Sequence, residues 1–367
     1  MIIIVLSIFL GVYLLLISLL IYGFTKVKSH GCIGLKPKTK FTIIVPFRNE
    51  AENLPALLGS FSKLNYPMDW VDVILVDDES KEKFQVQSFT FKVSIVDNIR
   101  LTNSPKKDAI VTAMNVANTD WVVTIDADCV VNTNWLLSLD NYIQNHEVTM
   151  LAGAVTYDCN NSFLHQFQQL DLASLQGATI GSFGIGKGFM CNGANLAYTK
   201  TLFQELNGFE GNDLIASGDD VFLLQKAVAQ FPEKVHYLKS TNNIVTTKAL
   251  NDWKSLFHQR VRWASKTTSY QSGFGKFLGL VVLMGNLCWL LTVAFCPLGL
   301  ASIENIIVLF ILKFSVDAIL IFKTNIFLGQ KTRYFILSSL FYPFFSVCVA
   351  FYSLFGKYEW KGRAFSK

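Results

Sequence analysis

Phe41-Thr42-Ile43-Ile44-Val45, running into Pro46-Phe47-Arg48-Asn49-Glu50, is the stretch on which the fold reading turns. FTIIV reads as a short buried strand, and the polar run begins where the strand stops. The same arrangement recurs twice. Val71–Val76 (VDVILV) runs into Asp77-Asp78-Glu79-Ser80, and Trp121–Ile125 (WVVTI) runs into Asp126-Ala127-Asp128. A shorter strand is expected near Val93–Val96. Leu54, Leu57, Leu58 and Phe61 fall on one helical face, which predicts a helix over Ala51–Lys63, and a second helix covers roughly Lys106–Ala117. Strands alternating with helices predict an α/β domain with a mostly parallel sheet and helices on its faces. Ligands of such sheets bind beyond the carboxyl ends of the strands, where these polar runs sit. No internal repeat is evident.

Outward from this domain the chain turns apolar. Ile2–Phe24 holds no charged side chain, and at ~1.5 Å per residue it is long enough for a ~30 Å hydrocarbon core. It lacks the basic start and small-residue cleavage site of a signal peptide. Lys26, Lys28, Lys36, Lys38 and Lys40 follow at once, so the positive-inside rule puts everything after Phe24 in the cytosol. Three further apolar runs are Phe277–Leu300, Ile303–Phe322 and Tyr334–Phe355. The second is weakened by Glu304, Lys313 and Asp317, the last two spaced to pair on one helical face. The third contains Pro343, a kink signal. The expected organisation is an anchor over 1–24, a cytosolic α/β domain over 41–270 and a membrane region of about three apolar segments over 277–356. A loop over Lys323–Arg333 is expected on the cytosolic side. Three full spans would then put the basic tail, with Lys357, Lys361, Arg363 and Lys367, outside, against the charge rule; either one run does not span or the rule is overridden.

Composition agrees with a mixed protein. The 367 residues are 51% hydrophobic, with a mean hydropathy of +0.36. The net charge of +5 is met by membrane apposition and anionic substrates, and nucleic acid is not expected as a partner. The seven Cys residues (Cys32, Cys129, Cys159, Cys191, Cys288, Cys296 and Cys348) form no C-x-x-C pair, which favours a reducing compartment over a disulfide framework or zinc site.

Each polar run admits a bland reading. Pro46–Glu50 could be a turn capping a helix. Asp77-Asp78-Glu79 places three mutually repelling acids together; they suit a solvated turn, or a uracil imide N–H and ribose hydroxyls. Asp126 and Asp128 at a strand end allow one carboxylate to face ribose and the other a hard divalent cation, Mg²⁺ or Mn²⁺. Ser217-Gly218-Asp219-Asp220 precedes a helix start, so Asp220 is a cap, an ionised general base, or both. In Gln259-Arg260-Val261-Arg262-Trp263 the Arg residues offer a donor fork for phosphate and Trp a flat face for a sugar ring; an interfacial anchor is the alternative.

Taken in order, P-F-R-N-E, V-D-D-x-S, D-A-D, G-D-D and Q-R-V-R-W resemble the inverting family-2 glycosyltransferases. The last motif resembles the branch holding cellulose synthase, hyaluronan synthase and ceramide glucosyltransferase. The likeness runs from about Phe41 to Trp263. It implies a GT-A fold, Rossmann-like, with flanking transmembrane helices, a UDP-sugar donor in most cases, and a divalent metal. It implies that Pro46, Arg48, Glu50, Asp77 and Asp78 surround the base, that Lys106 lies near the nucleotide and Asp126 near ribose, and that Asp128 holds the metal. Asn192, Gly193 and Asn195 resemble the acceptor loop. Asp220, preceded by Asp219, matches the catalytic base, and Gln259, Arg262 and Trp263 match the segment that closes over donor and acceptor.

The chain lacks the long C-terminal regulatory domain and the many spans of the large polymer synthases. The implied activity is therefore a single sugar transfer to a lipid-linked or glycan acceptor, with processive synthesis as the alternative. A nucleotidyltransferase and a non-catalytic membrane scaffold are further alternatives. The tail Tyr358–Arg363 resembles tails of some bacterial members, so a bacterial inner membrane, with its lipids around the helices, is the expected location.

Overall fold

The computed structural model describes residues 2–31, 34–85, 89–212, 215, 217–299, 302–355, 358–360 and 363–365. Cys32, Lys357, Lys361 and Lys367, named above, lie outside them. Two compact units are present. One is α/β and comprises Lys28–Asp158 and Phe189–Lys248; the other is helical and takes in the segments before, between and after these.

In chain order the elements are α1 (Ile2–Lys26), β1 (Phe41–Phe47), α2 (Leu54–Phe61), β2 (Val71–Asp77), β3 (Lys92–Asp97), α3 (Pro105–Val116), β4 (Trp121–Thr124), β5 (Cys129–Val131), α4 (Trp135–Asn145), β6 (Met150–Gly153) and β7 (Val155–Asp158). Next come α5 (Phe163–Gly184), β8 (Leu196–Thr199), α6 (Lys200–Glu205), α7 (Asp219–Gln230), β9 (Val235–Leu238), β10 (Val245–Lys248), α8 (Trp253–Ser265), α9 (Gly273–Phe295), α10 (Ile303–Leu328) and α11 (Phe335–Phe355). A short hairpin, Tyr358–Trp360 with Arg363–Phe365, ends the described chain.

The α/β unit is built on a seven-stranded sheet of order β3-β2-β1-β4-β8-β6-β9. β1, β2, β3 and β4 are parallel, whereas β8 is antiparallel to both β4 and β6. β1 and β2 are buried almost throughout, as strands covered on both faces must be, and this explains their unbroken apolar runs. β3, at the edge, alternates between exposed and half-buried positions. Leu54, Leu57, Leu58 and Phe61 of α2 are fully buried in the same core as Phe41, Ile43 and Val45. A second, small sheet has the order β5-β10-β7.

Pro46 was expected to end the first strand, yet β1 continues through it to Phe47. Pro46 pairs in register with Val76, and Phe47 with Asp77. Pairing with β4 stops at Ile44, so the missing proline N–H falls beyond the last rung on that side and removes no ladder bond.

In the helical unit, α5 is held at very close range on two sides. A Cβ on Gly184 would come within 1.8 Å of the Gly23 carbonyl oxygen of α1, and one on Gly181 within 2.3 Å of the Leu20 oxygen. A Cβ on Gly177 would lie 2.6 Å from Thr324 Oγ1 of α10. Such approach is the small-residue packing used between membrane helices. The polar residues of α5 are satisfied internally. The Gln168 amide donates to the Leu250 carbonyl at 2.8 Å and accepts from the Leu250 N–H at 2.9 Å. Gln169 donates to Asn325 at 3.0 Å, and Asp171 pairs with Arg260 of α8.

Among the described residues three helices are long and apolar enough to cross a membrane: Leu6–Lys26 within α1, α9 and α11. The run expected at Ile303–Phe322 forms α10, which is not one of these three. The loop expected from Lys323 is shorter than predicted, because α10 continues to Leu328. Thr324 and Asn325 are fully buried there, Asn325 bonds Gln169 and Thr332, and Gly329, at φ +69°, ends the helix as a left-handed terminal glycine does.

Gly184→Ala places a methyl group against backbone, which cannot rotate away. The variant is expected to lose at least about 1–3 kcal/mol, the usual cost of overpacking. Thermal denaturation of the detergent-solubilised protein measures it, and an unchanged midpoint would show that the α1–α5 contact is looser than described.

Candidate active site

Parallel strands deliver their following residues to one edge of the sheet, and here the loops after β1 and β2 are laced to each other. Arg48 donates to the Asp78 carbonyl at 2.7 Å. The Asn49 N–H donates to Ser80 Oγ at 2.9 Å, and the Lys81 N–H to Asn49 Oδ1 at 2.9 Å. Asn49 and Glu79 both adopt positive φ, 54° and 56°. For Glu79 this is a strained conformation, of the kind held only where surrounding bonds over-determine the backbone. Glu50 accepts from Asn53 at the entrance to α2. Asp77 Oδ1 accepts from the Ser80 N–H and Oδ2 from Lys83 Nζ, both at 2.9 Å. Burial alone would raise the Asp77 pKa; the bonds from Ser80 and Lys83 outweigh it and hold the carboxyl below its ordinary value.

Asp78 is nearly buried, at 6% exposure. Its Oδ1 accepts from Asn98 Nδ2 at 2.7 Å and from Arg100 at 3.2 Å, while Arg48 stands 3.9 Å from Oδ2. Asn98 also donates to the Pro105 carbonyl at 3.0 Å, tying the first cluster to the start of α3.

The second cluster surrounds Lys106, in the first turn of α3. Its Nζ lies 2.7 Å from Asp126 Oδ1 and 3.5 Å from Asp219 Oδ2. Burial would lower its pKa, but Asp126, Asp219 and Asp220 outweigh burial and raise it above the usual lysine range. Lys106 is therefore charged, although a cation in the first turn of a helix opposes the helix dipole. Asp220 is the second residue of α7, whose N-cap residue Gly218 has a φ of +87° that suits glycine. Asp220 Oδ2 accepts from the Gly193 N–H at 2.9 Å and Oδ1 from the Val221 N–H at 2.8 Å. Gly193 is boxed in: a Cβ there would lie 3.1 Å from Asp219 Oδ2 and 3.3 Å from Lys106 Nζ.

The remaining sequence candidates divide. Asp126 is 42% exposed along its side chain, and Asp128, two residues on, is half-buried. Asn192 caps its own turn through the Ala194 N–H at 3.0 Å. Asn195 is buried at 2% exposure, and its amide is engaged by Trp135, Ala154 and Asn243; it anchors the turn that carries Gly193. Gln259, Arg262 and Trp263 lie on α8 of the helical unit. There the Arg260 guanidinium stacks 4.2 Å from the Trp263 ring centre, donates to the Gln259 side-chain oxygen and pairs with Asp171.

Several residues of these clusters were not singled out in the sequence, Lys83 beside Asp77 among them. Asn98 and Arg100 follow β3, and the strand-end rule applied to the other three parallel strands would have found them. Asp108 folds back from α3 onto the loop after β3, accepting from the N–H groups of Leu101 and Thr102 at 3.1 and 2.9 Å. Lys107, 2% exposed, donates to the carbonyls of Asn212 and Ile215, so it ties α3 to the segment leading into Asp219. No sequence pattern marks either of these two.

Acidic and basic side chains thus gather at the carboxyl edge of the largely parallel sheet of an α/β fold of the GT-A type. Residues 42–206, a little under half of the chain, match the model of Glycosyl transferase family 2. A curated relative, the probable glycosyltransferase YdaM of Bacillus subtilis strain 168, is 23% identical over 63% of this chain. The match covers 56% of YdaM, so the chain spans a little over half of that relative. The mannosyltransferase PcManGT from Pyrobaculum calidifontis, solved in complex with GDP-Man and Mn²⁺, shares the fold at a TM-score of 0.61 and 15% identity, over 97% of this chain and 99% of its own. TarS 1–349 of S. aureus, in complex with UDP-GlcNAc, matches over 89% of this chain and 95% of its own at a TM-score of 0.43 and 14% identity.

Lys106→Met leaves the carboxylates around it without their shared cation. Breaking a buried ion pair costs ~3–5 kcal/mol, and the lower end is expected because Asp126 is partly exposed. The raised Lys106 pKa means this contribution is fully present below the ordinary lysine value of ~10.4 and is lost only as pH rises through the higher folded value. Thermal melts of variant and wild type should therefore differ by a constant amount from pH 6 to 9. A difference that disappears within that window would contradict the assignment.

Proposed function

We propose that this chain transfers a sugar, with inversion, from a UDP-sugar to a hydroxyl of a lipid-linked acceptor, and that it works at the cytosolic face of a membrane. The observation that carries the reading is the meeting of Lys106, Asp126, Gly193, Asp219 and Asp220 beside the laced loops after β1 and β2. A base-and-ribose site and the Asp220 carboxylate then share one edge of the sheet.

In this reading Arg48 and Asp78 hold the base. The Asp78 carboxylate, aligned by Asn98 and Arg100, accepts from a uracil imide N–H. Pro46, Glu50 and Asp77 shape the loops, and Asp126 faces ribose. A divalent cation fits the residues present. Asp126 and Asp128 are both partly exposed, and an ion such as Mg²⁺ is commonly taken by one or two carboxylates together with substrate phosphates and water. Asp128, with Asp126 beside it, would hold the cation, which when bound neutralises charge on the leaving diphosphate. Lys106 adds a fixed positive charge at the same place.

Asp220 takes the proton of the acceptor hydroxyl. The acceptor oxygen forms its bond to the anomeric carbon as the bond from that carbon to the phosphate oxygen breaks, and UDP leaves. One displacement inverts the stereochemistry and needs no covalent enzyme intermediate. The N–H groups of Gly193 and Val221 each bond one oxygen of the Asp220 carboxylate and fix its orientation. The roles of Asn192 and Asn195 in the acceptor loop, and of Gln259, Arg262 and Trp263 in closing over the substrates, rest on the sequence motifs and belong to the same proposal. The three membrane-length helices support a lipid-linked acceptor.

Two substitutions test the chemistry. Asp220→Asn should leave UDP binding near normal and lower transfer by ~10²–10⁴-fold, the usual worth of a general base; a variant retaining more than half the wild-type rate sinks the assignment. Asp128→Asn should abolish the gain in UDP affinity produced by Mn²⁺, because an amide replaces a hard anionic ligand. Isothermal titration with and without Mn²⁺ reads this directly, and an unchanged gain would remove Asp128 from the metal site. The product of donor turnover should be UDP and not pyrophosphate.

A further inference from the structure

The helical unit contains a cavity of about 90 Å³ that the chemistry above does not use. Five helices line it: α1, α5, α9, α10 and α11. Three of them hold the stretches long and apolar enough to cross a membrane. Most of the wall is aliphatic or aromatic, with Ile17, Leu170, Val282, Phe314, Leu320 and Phe335 contributing from all five helices. By the measure in which one water needs ~10–15 Å³, the space would hold on the order of six waters. It therefore suits a length of one hydrocarbon chain and not a whole lipid.

Its polar groups narrow the occupant further. Lys313 donates to Asp317 Oδ2 at 2.8 Å, and the Tyr13 hydroxyl donates to Asp317 Oδ1 at 2.5 Å. Lys313 is 3% and Asp317 18% exposed along the side chain. Asp171, also in the wall, is paired with Arg260. Each charge at the cavity already has its counter-charge. A phosphate placed there would meet two carboxylates, and an added cation would compete with Lys313 or Arg260. Burying either costs more than the site returns. Ser338 is different. It is 4% exposed, lines the cavity, and its Oγ has no hydrogen-bond partner among the described residues. A buried hydroxyl in that state calls for an oxygen on the occupant.

We propose that this cavity binds one hydrocarbon chain of the acceptor lipid, with an uncharged oxygen of that lipid, an ester, ether or hydroxyl group, bonded to Ser338. The proposal rests on the lipid-acceptor reading above and gives that acceptor a chemical class: a neutral oxygen-bearing portion within the helices, any charged group lying elsewhere. The Tyr13–Lys313–Asp317 group forms a net-neutral polar wall, and Asp171 joins the cavity to α8 through Arg260.

The probe is a monoacylglycerol with a diazirine in its chain, compared with a diazirine alkane, applied to the full chain in lipid nanodiscs. Labelling mapped to single residues by tandem mass spectrometry should concentrate on Tyr13, Leu170 and Phe314, above that at lipid-facing Leu15 and Phe355, which are 74% and 87% exposed. Val282→Trp, which fills the space, should cut cavity labelling about tenfold, equivalent to one factor of ten in affinity, while Leu15 and Phe355 label as before. Ser338→Ala should cut labelling by the monoacylglycerol about fivefold, the worth of one hydrogen bond, and leave the alkane unaffected. Labelling uniform over the helices, or unmoved by Val282→Trp, overturns the site.

Transfer from UDP-sugars to long- and short-chain monoacylglycerols forms the second arm. Val282→Trp should raise KM about tenfold for the long chain only. Cavity labelling with an unchanged chain-length dependence assigns the cavity to bulk bilayer lipid and overturns the acceptor assignment. If neither chain length is glycosylated while a glycan acceptor is, the lipid-acceptor reading fails, and the acceptor assignment with it, whatever the labelling shows.

Discussion

The α/β unit depends on one cation. Lys106 sits among Asp126, Asp219 and Asp220, contributed by the end of β4 and the start of α7. Unit charges ~4 Å apart interact by about 4 kcal/mol at the effective dielectric typical near protein surfaces, so these acids could not gather without a shared counter-charge. The placement has a local cost, because two consecutive lysines open α3 against its dipole. Lys107 offsets part of it by donating to the Asn212 and Ile215 carbonyls, and its Nζ stands 5.2 Å over the Phe222 ring. One dipeptide thus holds the carboxylates with its first side chain and the backbone leading to them with its second.

Gly193 completes this arrangement by having no side chain. Its N–H reaches Asp220, and its carbonyl accepts from Thr124 Oγ1 of β4 at 2.9 Å. Asn195 then pins the turn from behind through Trp135 and Asn243. Close approach at Gly193 and full burial of Asn195 are two parts of one device: a rigid turn that presents a backbone donor to the proposed base.

In the helical unit the comparable constraint is α5. Its composition is polar for a buried helix, and each polar side chain named above is matched across the unit, Gln168 by Leu250, Gln169 by Asn325 and Asp171 by Arg260. The glycines at 177, 181 and 184 allow α1 and α10 to approach closely enough for such bonds to form. Satisfied networks of this kind specify one packing among several that apolar contact alone would accept.

The sequence by itself determined the α/β core and the polar edge at the ends of its strands. An unbroken apolar strand followed by a polar run is a local pattern, and period and burial alone create it at β1, β2 and β4. It also marked the apolar runs of α1, α9 and α11, together with a fourth at Ile303–Phe322 that is not among the three membrane-length helices. Tertiary structure decided the rest. Phe163–Gly184 has no apolar period strong enough to read, because its polar side chains are satisfied by residues about 80 to 160 positions away. The strand running through Pro46 depended on where pairing with β4 ends. The extension of α10 past Lys323 depended on partners for Asn325. Asp108 and Lys107 bond to backbone, which carries no sequence signature. What could be read was periodic and local; what could not depends on partners that only the folded chain brings within hydrogen-bond distance.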